Sequence, residues 1–429
     1  MESPVPVEKV IVFQDQGNGS ILSSYSVLCK SMIGSGIFSM AYACAKFGIL
    51  PGSLALCVAA GITWLSLHVL SILALEFRAE NPSFYSVSEK IWPRARWVVD
   101  VSLIINCFGA AVAYVVTSGT LMSYAIIAMF KIDVKTSWLG GNHIAMMVQA
   151  VMVISLAPLC MMKDISSTKI ANMVGLSCLF YIVVTTLFYA NVGATAGDLS
   201  LLYPSSALLA MGAFPTFIFA FACQQNVFSV ANELRNANLK RLGVVCASST
   251  ATGFLVYVPM MLLPFLTFGR GVKSNYLYNL NADGEVDVPI IIAFIAASLS
   301  VSISFVLQVQ PTRRSIVSLI YGSELLTGAK EVRIRVGVVT AILLATFGLA
   351  VGVGDDLSLP INLAGLLGGN TMCFVMPFVL YLRYYGFRWR KQDTGALDWF
   401  SLAVVSVLGF CLALYPVCLT GIIWEAATK

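Results

Sequence analysis

Charge is what this sequence has least of. Only 11% of its 429 residues are Asp, Glu, Lys or Arg, while 58% are hydrophobic. Soluble domains run nearer about a quarter charged and a little under half apolar. A chain this long with so little charge cannot enclose one aqueous core, which excludes an ordinary soluble protein and leaves a multi-spanning membrane protein. Histidine is scarcer still, with His68 and His143 alone, so histidine-based metal or catalytic clusters are not expected. The eleven cysteines show no paired spacing and nearly all fall inside apolar runs. They read as small packing residues rather than a disulfide framework. No His/Asp/Glu cluster or nucleophile–base set lies at a common depth, so an integral-membrane enzyme is disfavoured and no cofactor is implied. A channel would need a ring-forming filter or acidic span residues, and neither is evident. The first twenty residues lack the basic start and clean apolar core of a signal peptide. Asn18-Gly19-Ser20 matches a glycosylation sequon, but it is expected to face the cytoplasm and is read as a chance match.

Long apolar stretches are what the sequence does have. Runs of about 18–25 residues mark candidate membrane helices, and eleven are found, near 21–45, 50–75, 97–129, 142–162, 168–190, 204–233, 241–268, 288–320, 334–353, 359–384 and 398–424. The expected fold is therefore all-α and integral to the membrane. The stretches at 97–129 and 288–320 are long enough for strong tilt. Basic loop residues set the orientation. With the N-terminus cytoplasmic, 19 of the 26 Lys and Arg residues fall on the inner side and 6 on the outer, leaving Lys30 inside the first span. This asymmetry supports an odd number of spans, with the C-terminus on the opposite side. The inner loop at 84–97, "FYSVSEKIWPRARW", reads as an amphipathic interfacial segment, and a nucleic-acid role for its basic residues is not expected. Asp100 and Glu233 are placed at cytoplasmic helix ends, where a charge reaches water.

Two of the apolar runs carry interruptions. The first contains Gly34-Ser35-Gly36, and the sixth contains "FAFACQQN" (219–226) after Pro215. They lie five spans apart. Unwound spans at matching positions of two halves point to an inverted-repeat transporter with a midplane site. Non-helical backbone at that depth must line a cavity or be buried in protein, and glycine suits such a break. A plain Gly-x-Gly packing contact is the simpler alternative. The second interruption and the lysine one turn before the first favour the functional reading.

Six segments extend this reading. "KSMIGSGIFSMAYACAKFGILPG" (30–52), "INCFGAAVAYVV" (105–116), "LAPLCMMKDISSTKIANMVGL" (156–176), "FAFACQQNVFSVANEL" (219–234), "LQVQPTRRSI" (307–316) and "LLGGNTMCFVMPFVLYLR" (366–383) follow one another in order. Together they resemble the amino acid/auxin permease family, the amino acid transporter transmembrane family of the amino acid–polyamine–organocation superfamily. The resemblance covers nearly the whole chain from about residue 20. It implies secondary transport of amino acids in a leucine-transporter-like fold. Residues 1–20 would form a cytoplasmic tail, 21–191 and 203–385 two five-helix inverted repeats, and 398–424 an appended eleventh helix.

In that reading the substrate carboxylate meets amides freed at Ile33, Gly34, Ser35 and Gly36, since a helix N-terminus suits an anion. The ammonium faces carbonyls near Phe219, Ala220, Ala222 and Cys223. Gln224, Gln225 and Asn226 either add hydrogen bonds to substrate or cap the resumed helix. Tyr114 and Asn106 lie on the third span, which in the family lines the pocket; interhelical bonding is the alternative for both. Ser300 and Ser304 are four apart on one face of the eighth span, which the resemblance places at a cation site. Either serine could instead bond the preceding turn.

Lys30 lies about nine residues into the first span, roughly 13 Å along at the usual rise, so reaching the interface by snorkelling is strained. An ionisable residue inside a span is a functional hypothesis by default. Sodium-coupled members of the family resemble one another in an asparagine at this position. Lysine there resembles the proton-coupled, sodium-independent branch, its ammonium standing where a sodium ion would bind. The expected partners are amino acids, neutral because no acidic side chain is expected at midplane depth, and lipid around the helices; the expected cycle is sodium-independent, either coupled to protons or facilitative. The expected membrane is the plasma membrane or that of a vacuole or lysosome. The competing readings are a membrane amino acid sensor that kept the permease fold, and a sodium-coupled symporter.

Overall fold

A computed structural model describes residues 17–78, 82–132, 143–162, 168–195, 197–281, 286–321, 328–387 and 398–428. Among them the regular structure is helical, with one isolated bridge between Gly19 and Leu234 and no strand. Fifteen α-helices run in chain order: α1 Ile21–Met32, α2 Gly36–Phe47, α3 Ile49–Glu76, α4 Phe84–Ile91, α5 Ala95–Phe130, α6 His143–Met161, α7 Thr168–Tyr189, α8 Ala207–Ala220, α9 Val227–Glu233, α10 Leu239–Phe268, α11 Val288–Tyr321, α12 Gly328–Val353, α13 Ser358–Leu363, α14 Met376–Tyr385 and α15 Trp399–Thr428. A π-helical stretch, Ala364–Val375, joins α13 to α14. Helix is the physical consequence of so apolar a chain, because it satisfies backbone polar groups without water.

Nine helices among the described residues are long and apolar enough to cross a membrane. The α1–α2 pair, bent by 53°, makes a tenth, and Met173–Tyr189 in α7 is apolar but shorter. The helix starts follow local chemistry. The Ser20 hydroxyl accepts from the Ser23 amide at the head of α1, and the Asn238 side chain accepts from the Arg241 amide at the head of α10. Ser83 and Ser86 form a reciprocal capping box on α4. That short helix buries Phe84 and Val87 and exposes Lys90, the amphipathic form read from the sequence.

Burial sorts the helices into a centre and a rim. Within an 18-residue apolar window of each span, 78% of the residues of Ala207–Glu233 and of Ser358–Tyr385 are buried, but only 22% of those of α15. Helices α5 and α11 pack along each other at the centre. Residues such as Ile154, Phe180, Leu255 and Trp424 point outward, as lipid-facing side chains must. All eleven cysteines are free and nine are buried, filling space between helices.

Asp100 corrects an expectation. It is 3% exposed, and its carboxylate accepts from Ser315 and Ser318 of α11, both at 2.9 Å. The acid is an interhelical tie rather than a solvated end group, because α11 runs on past the depth at which Asp100 would meet water. Glu233 is exposed, as expected.

The peripheral α15 is anchored at two points. Its Gly421 lies so near α8 that an added Cβ would stand 2.4 Å from the Leu208 carbonyl oxygen and 2.7 Å from Gly212 Cα. Buried Glu425 accepts the Tyr42 hydroxyl and pairs with Lys46 at 3.1 Å, both on α2. Overpacking of this kind costs about 1–3 kcal/mol. Gly421→Leu should therefore lower the melting temperature of the detergent-solubilised protein by several degrees. Gly409→Leu on the same helix, where a Cβ meets nothing within 4 Å, should leave it within about a degree; a thermal-shift assay on both variants checks this.

Candidate functional site

Both interruptions in the sequence are real breaks in the structure. Helix α1 ends at Met32, Ile33 and Gly34 leave helical geometry, Ser35 turns, and Gly36 starts α2. The first amides of a helix have no intrahelical partner, but here the Ile33 and Gly34 amides donate to the Cys29 and Met32 carbonyls and the Ile37 and Phe38 amides to those of Gly34 and Ser35. Of the four amides expected to be freed, those of Ser35 and Gly36 are therefore the two without a backbone partner among the described residues. In the sixth span α8 ends at Ala220, and Phe221, Ala222 and Cys223 run irregularly. A 3₁₀ turn, Gln224–Asn226, then leads into α9.

The two breaks touch each other. A Cβ on Gly36 would sit 2.8 Å from Ala220 Cα and 2.9 Å from Ala220 Cβ, so only glycine fits this approach. Further ties cross between the spans. The Asn226 amide group donates to the Ser31 hydroxyl at 2.5 Å. The Tyr257 hydroxyl on α10 lies 2.7 Å from the carbonyls of both Met32 and Ala220.

Between the breaks lies a small pocket of about 20 Å³. It is lined by Ser31, Met32, Gly34, Ser35 and Gly36 of the first span, Asn106, Ala110 and Tyr114 of α5, Phe219, Ala222 and Gln225 of the sixth span, and Gln308 of α11. That volume holds about one water molecule, so an amino acid enters only if the helices or side chains part. Ser35 Oγ, Asn106 Oδ1 and Gln225 Oε1 are buried without a hydrogen-bond partner among the described residues. Buried polar atoms are ordinarily paired, and although others without a partner among the described residues, such as Thr63 Oγ1 and Gln149 Oε1, lie elsewhere, these three make the pocket a candidate for a polar guest. A vestibule of about 430 Å³ shares Ser31, Tyr114, Gln225 and Gln308 with this pocket and extends past Lys30, Asn226 and Ser304 to Val27 and Arg314.

The candidate residues fall into three groups. Gly34, Ser35, Gly36, Tyr114, Phe219 and Ala222 line the pocket, as does Asn106. Ile33, Ala220, Cys223 and Gln224 are not among its lining residues. Ile33 and Cys223 are packed into the core, and the Ala220 carbonyl is taken by Tyr257. The Gln224 side chain accepts from the Cys223 amide at 2.8 Å, a local bond that is neither substrate contact nor a cap on the resumed helix, whose start has no side-chain cap. Asn226 belongs to the vestibule.

Lys30, Ser300 and Ser304 form the third group. Lys30 is 8% exposed, and its Nζ has no hydrogen-bond partner among the described residues. It reaches toward Gly175 of α7, where an added Cβ would stand 3.1 Å from Nζ and 3.7 Å from Ser300 Oγ. Ser300 donates to the Gly175 carbonyl at 3.1 Å, so it ties α11 to α7. Ser304 bonds the Ser300 carbonyl on its own helix at 3.0 Å, yet still lines the vestibule beside Lys30. Three residues escaped the sequence reading. Gln308 continues the spacing of Ser300 and Ser304 by another four residues, a signal that was present. Tyr257 and Gly175 carry no such signal, because each matters only through the helix it faces.

The family model described as transmembrane amino acid transporter protein matches residues 17–419. The chain belongs to this family. Among family relatives, vacuolar amino acid transporter 5 of Schizosaccharomyces pombe is 27% identical over 404 residues, 93% of this chain and 92% of the relative. Vacuolar amino acid transporter 6 of Saccharomyces cerevisiae is 27% identical over 304 residues, 69% of this chain and 66% of the relative. The crystal structure of MhsT in complex with L-phenylalanine superposes with a TM-score of 0.62 at 14% identity, covering 95% of this chain and 100% of that one. This family member therefore has a leucine-transporter-like fold.

The Gly36–Ala220 approach gives a direct test. Gly36→Leu should abolish amino acid uptake, to below about a hundredth of the parent rate, while the protein still inserts in the membrane. Uptake normalised to surface-accessible protein checks this, and a parent-like rate would contradict it.

Proposed function

We propose that the protein is a secondary transporter that moves neutral amino acids across a membrane by alternating access. Eleven spans, grouped as inverted repeats 21–191 and 203–385 with an appended helix at 398–424, would form the moving parts. The observation that carries this reading is the closed pocket between two touching helix breaks, continuous with a vestibule on one side. Past the breaks, Ile37, Phe38 and Phe217 are fully buried. A site reached from one face and sealed by packed helix toward the other is one half of an alternating-access cycle.

Substrate class follows from the lining. It holds hydroxyls, amides and one phenol, with no carboxylate and no basic side chain. A cationic side chain would find no counter-ion there and would be costly to desolvate. The carboxylate of the substrate would take the amides at the start of α2 and the orphaned Ser35 hydroxyl, with Gly34 and Gly36 leaving it room. Asn106, Tyr114, Gln225 and Gln308 would complete the polar contacts.

Lys30 supports a sodium-independent, proton-coupled or facilitative cycle. Its unpartnered ammonium beside Gly175, Ser300 and Ser304 would occupy the place of a bound cation. Proton exchange at Lys30 would then accompany opening of the vestibule, which Lys30 lines. The inner loops' excess of basic residues supports a cytoplasmic N-terminus, and the relatives' vacuolar names support a vacuolar or lysosomal membrane.

Uptake into proteoliposomes tests each part. Alanine and glutamine should compete with one another, and arginine and lysine should not. Replacing sodium by choline should leave uptake within about twofold, while Lys30→Met should lower the rate at least about tenfold and flatten its dependence on external pH. Sodium-dependent uptake, or a Lys30→Met variant with the parent rate and pH profile, would overturn the coupling assignment.

A further inference from the structure

Glu425 is a buried carboxylate on a helix that is otherwise largely exposed to lipid. Its neighbours Ile423 and Trp424 are more than half exposed, whereas Glu425 is 5% exposed. Two residues one turn apart on α2 converge on its Oε1. The Tyr42 hydroxyl donates to it, and the Lys46 ammonium lies 3.1 Å away. The same ammonium stands 4.9 Å from the centre of the Tyr42 ring. Asp356 and Ser358, at the start of α13, also face Tyr42, but Asp356 is engaged by the Ser358 amide and hydroxyl at 2.9 and 2.7 Å. Arg270, the other cation beside α2, donates to the Ala45 carbonyl at 3.2 Å and to the carbonyls of Ser200 and Tyr203.

The carboxylate has a fixed place. One turn before it, Gly421 comes against Gly212 and the Leu208 carbonyl of α8. Much of the remaining seat of α2 is apolar: the Phe47 ring lies edge-on to Phe217 at 5.6 Å and tilted against Phe214 at 6.3 Å. An ion pair taken out of water gives up hydration that its attraction offsets only in part, so apolar side chains of like volume often hold two helices more firmly. A charged joint at this place is suited to parting rather than to permanence. The Lys46 side chain is 22% exposed, so water reaches the ammonium as soon as α2 tilts away.

We infer that Glu425 is a positioning residue of the transport cycle, which acts through Tyr42 and Lys46 to keep α2 seated and the side opposite the vestibule shut. This rests on the transport reading above. Glu425 lines neither the pocket nor the vestibule, while Gly36, the first residue of α2, does line the pocket. The carboxylate therefore acts on the site at a distance, by setting where α2 stands. Breaking the clamp lets α2 leave its seat more often and draws population away from the state that is open at the vestibule.

The test uses Ser39→Cys as a reporter in the full-length protein in proteoliposomes. Ser39 is 1% exposed, lies about one turn before Tyr42 and donates to the Ser274 carbonyl. A membrane-impermeant thiol reagent reaches this position only when α2 moves, and the same protein without the reporter corrects for the native cysteines. Glu425→Gln keeps an acceptor for Tyr42 but removes the charge that holds Lys46, and should raise the labelling rate about tenfold. Lys46→Gln should match it, and the two together should do no more than either alone, because both remove one interaction. KM for substrate offered at the vestibule side should rise about threefold in both, as the competent population falls. Parent-like labelling in both single variants overturns the proposal, as do additive increases accompanied by a lower melting temperature. Faster labelling with an unchanged KM overturns the role in transport. Should Glu425→Gln not reach the membrane, Lys46→Gln and Tyr42→Phe decide: parent-like labelling in both overturns the clamp, and faster labelling in both supports it. Absence of uptake by the parent, with labelling changed as expected, overturns the transport reading and leaves the clamp standing.

Discussion

A helix that stops inside a membrane must find partners for the carbonyls and amides it releases, because no water is at hand to take them. The rest of this molecule can be understood as the answer to that requirement posed twice, at Met32 and at Ala220. Tyr257 serves both carbonyls, Gln224 turns back to the Cys223 amide, and Asn226 reaches across to Ser31. Because the Tyr257 and Asn226 bonds join different spans, they form only where α1, α8 and α10 are already assembled. Ser35 Oγ, Asn106 Oδ1 and Gln225 Oε1, buried without a partner among the described residues, belong to residues that line one pocket, whereas others such as Thr63 Oγ1, Gln149 Oε1 and Asn370 Oδ1 lie away from it.

The same economy governs α11, where serines take the place of the salt bridges a soluble protein would use. Ser298 and Ser302 meet Ser118 of α5, Ser300 meets the Gly175 carbonyl of α7, and Ser315 and Ser318 meet Asp100 of α5. Hydroxyls are small enough to leave α5 and α11 in close contact, and Ser298, Ser300 and Ser302 are satisfied by hydroxyls and carbonyls, while Ser315 and Ser318 share the buried Asp100. The cations stand out against this background. Partly buried Lys46 has Glu425 and buried Arg313 donates to the Met162 carbonyl, whereas the buried Lys30 ammonium has no hydrogen-bond partner among the described residues.

Much of this was legible in the amino-acid sequence, and the reason is dimensional. An apolar run of membrane length has few alternatives to a helix, so the spans were readable to within a few residues at most ends. The breaks were readable because Gly34, Gly36 and the polar run 224–226 are out of place in such runs. What could not be read were relations between helices. Whether Gln224 faces the pocket or its own neighbour depends on how the chain turns after Ala220. Whether Asp100 meets water depends on the length of α11. Tyr257 is an ordinary aromatic residue in an apolar helix until α1 and α8 are brought to it. The π-helical stretch at Ala364–Val375, whose Gly368 comes against the backbone of Asn106, likewise answers to its neighbours.

The two halves of the first span keep different company. Before the break, α1 is fastened through Ser31 to Asn226 and through Tyr25 to Thr252. Beyond it, α2 is fastened through Ser39 to the Ser274 carbonyl and through Tyr42 and Lys46 to Glu425 on the peripheral α15. A continuous helix would carry a displacement from one membrane face to the other as a stiff rod. Here the rod is cut and each piece is moored to a separate part of the bundle. In the proposed cycle the vestibule side would loosen while the far side stays shut, with the lipid-exposed fifteenth helix a mooring post rather than mere padding.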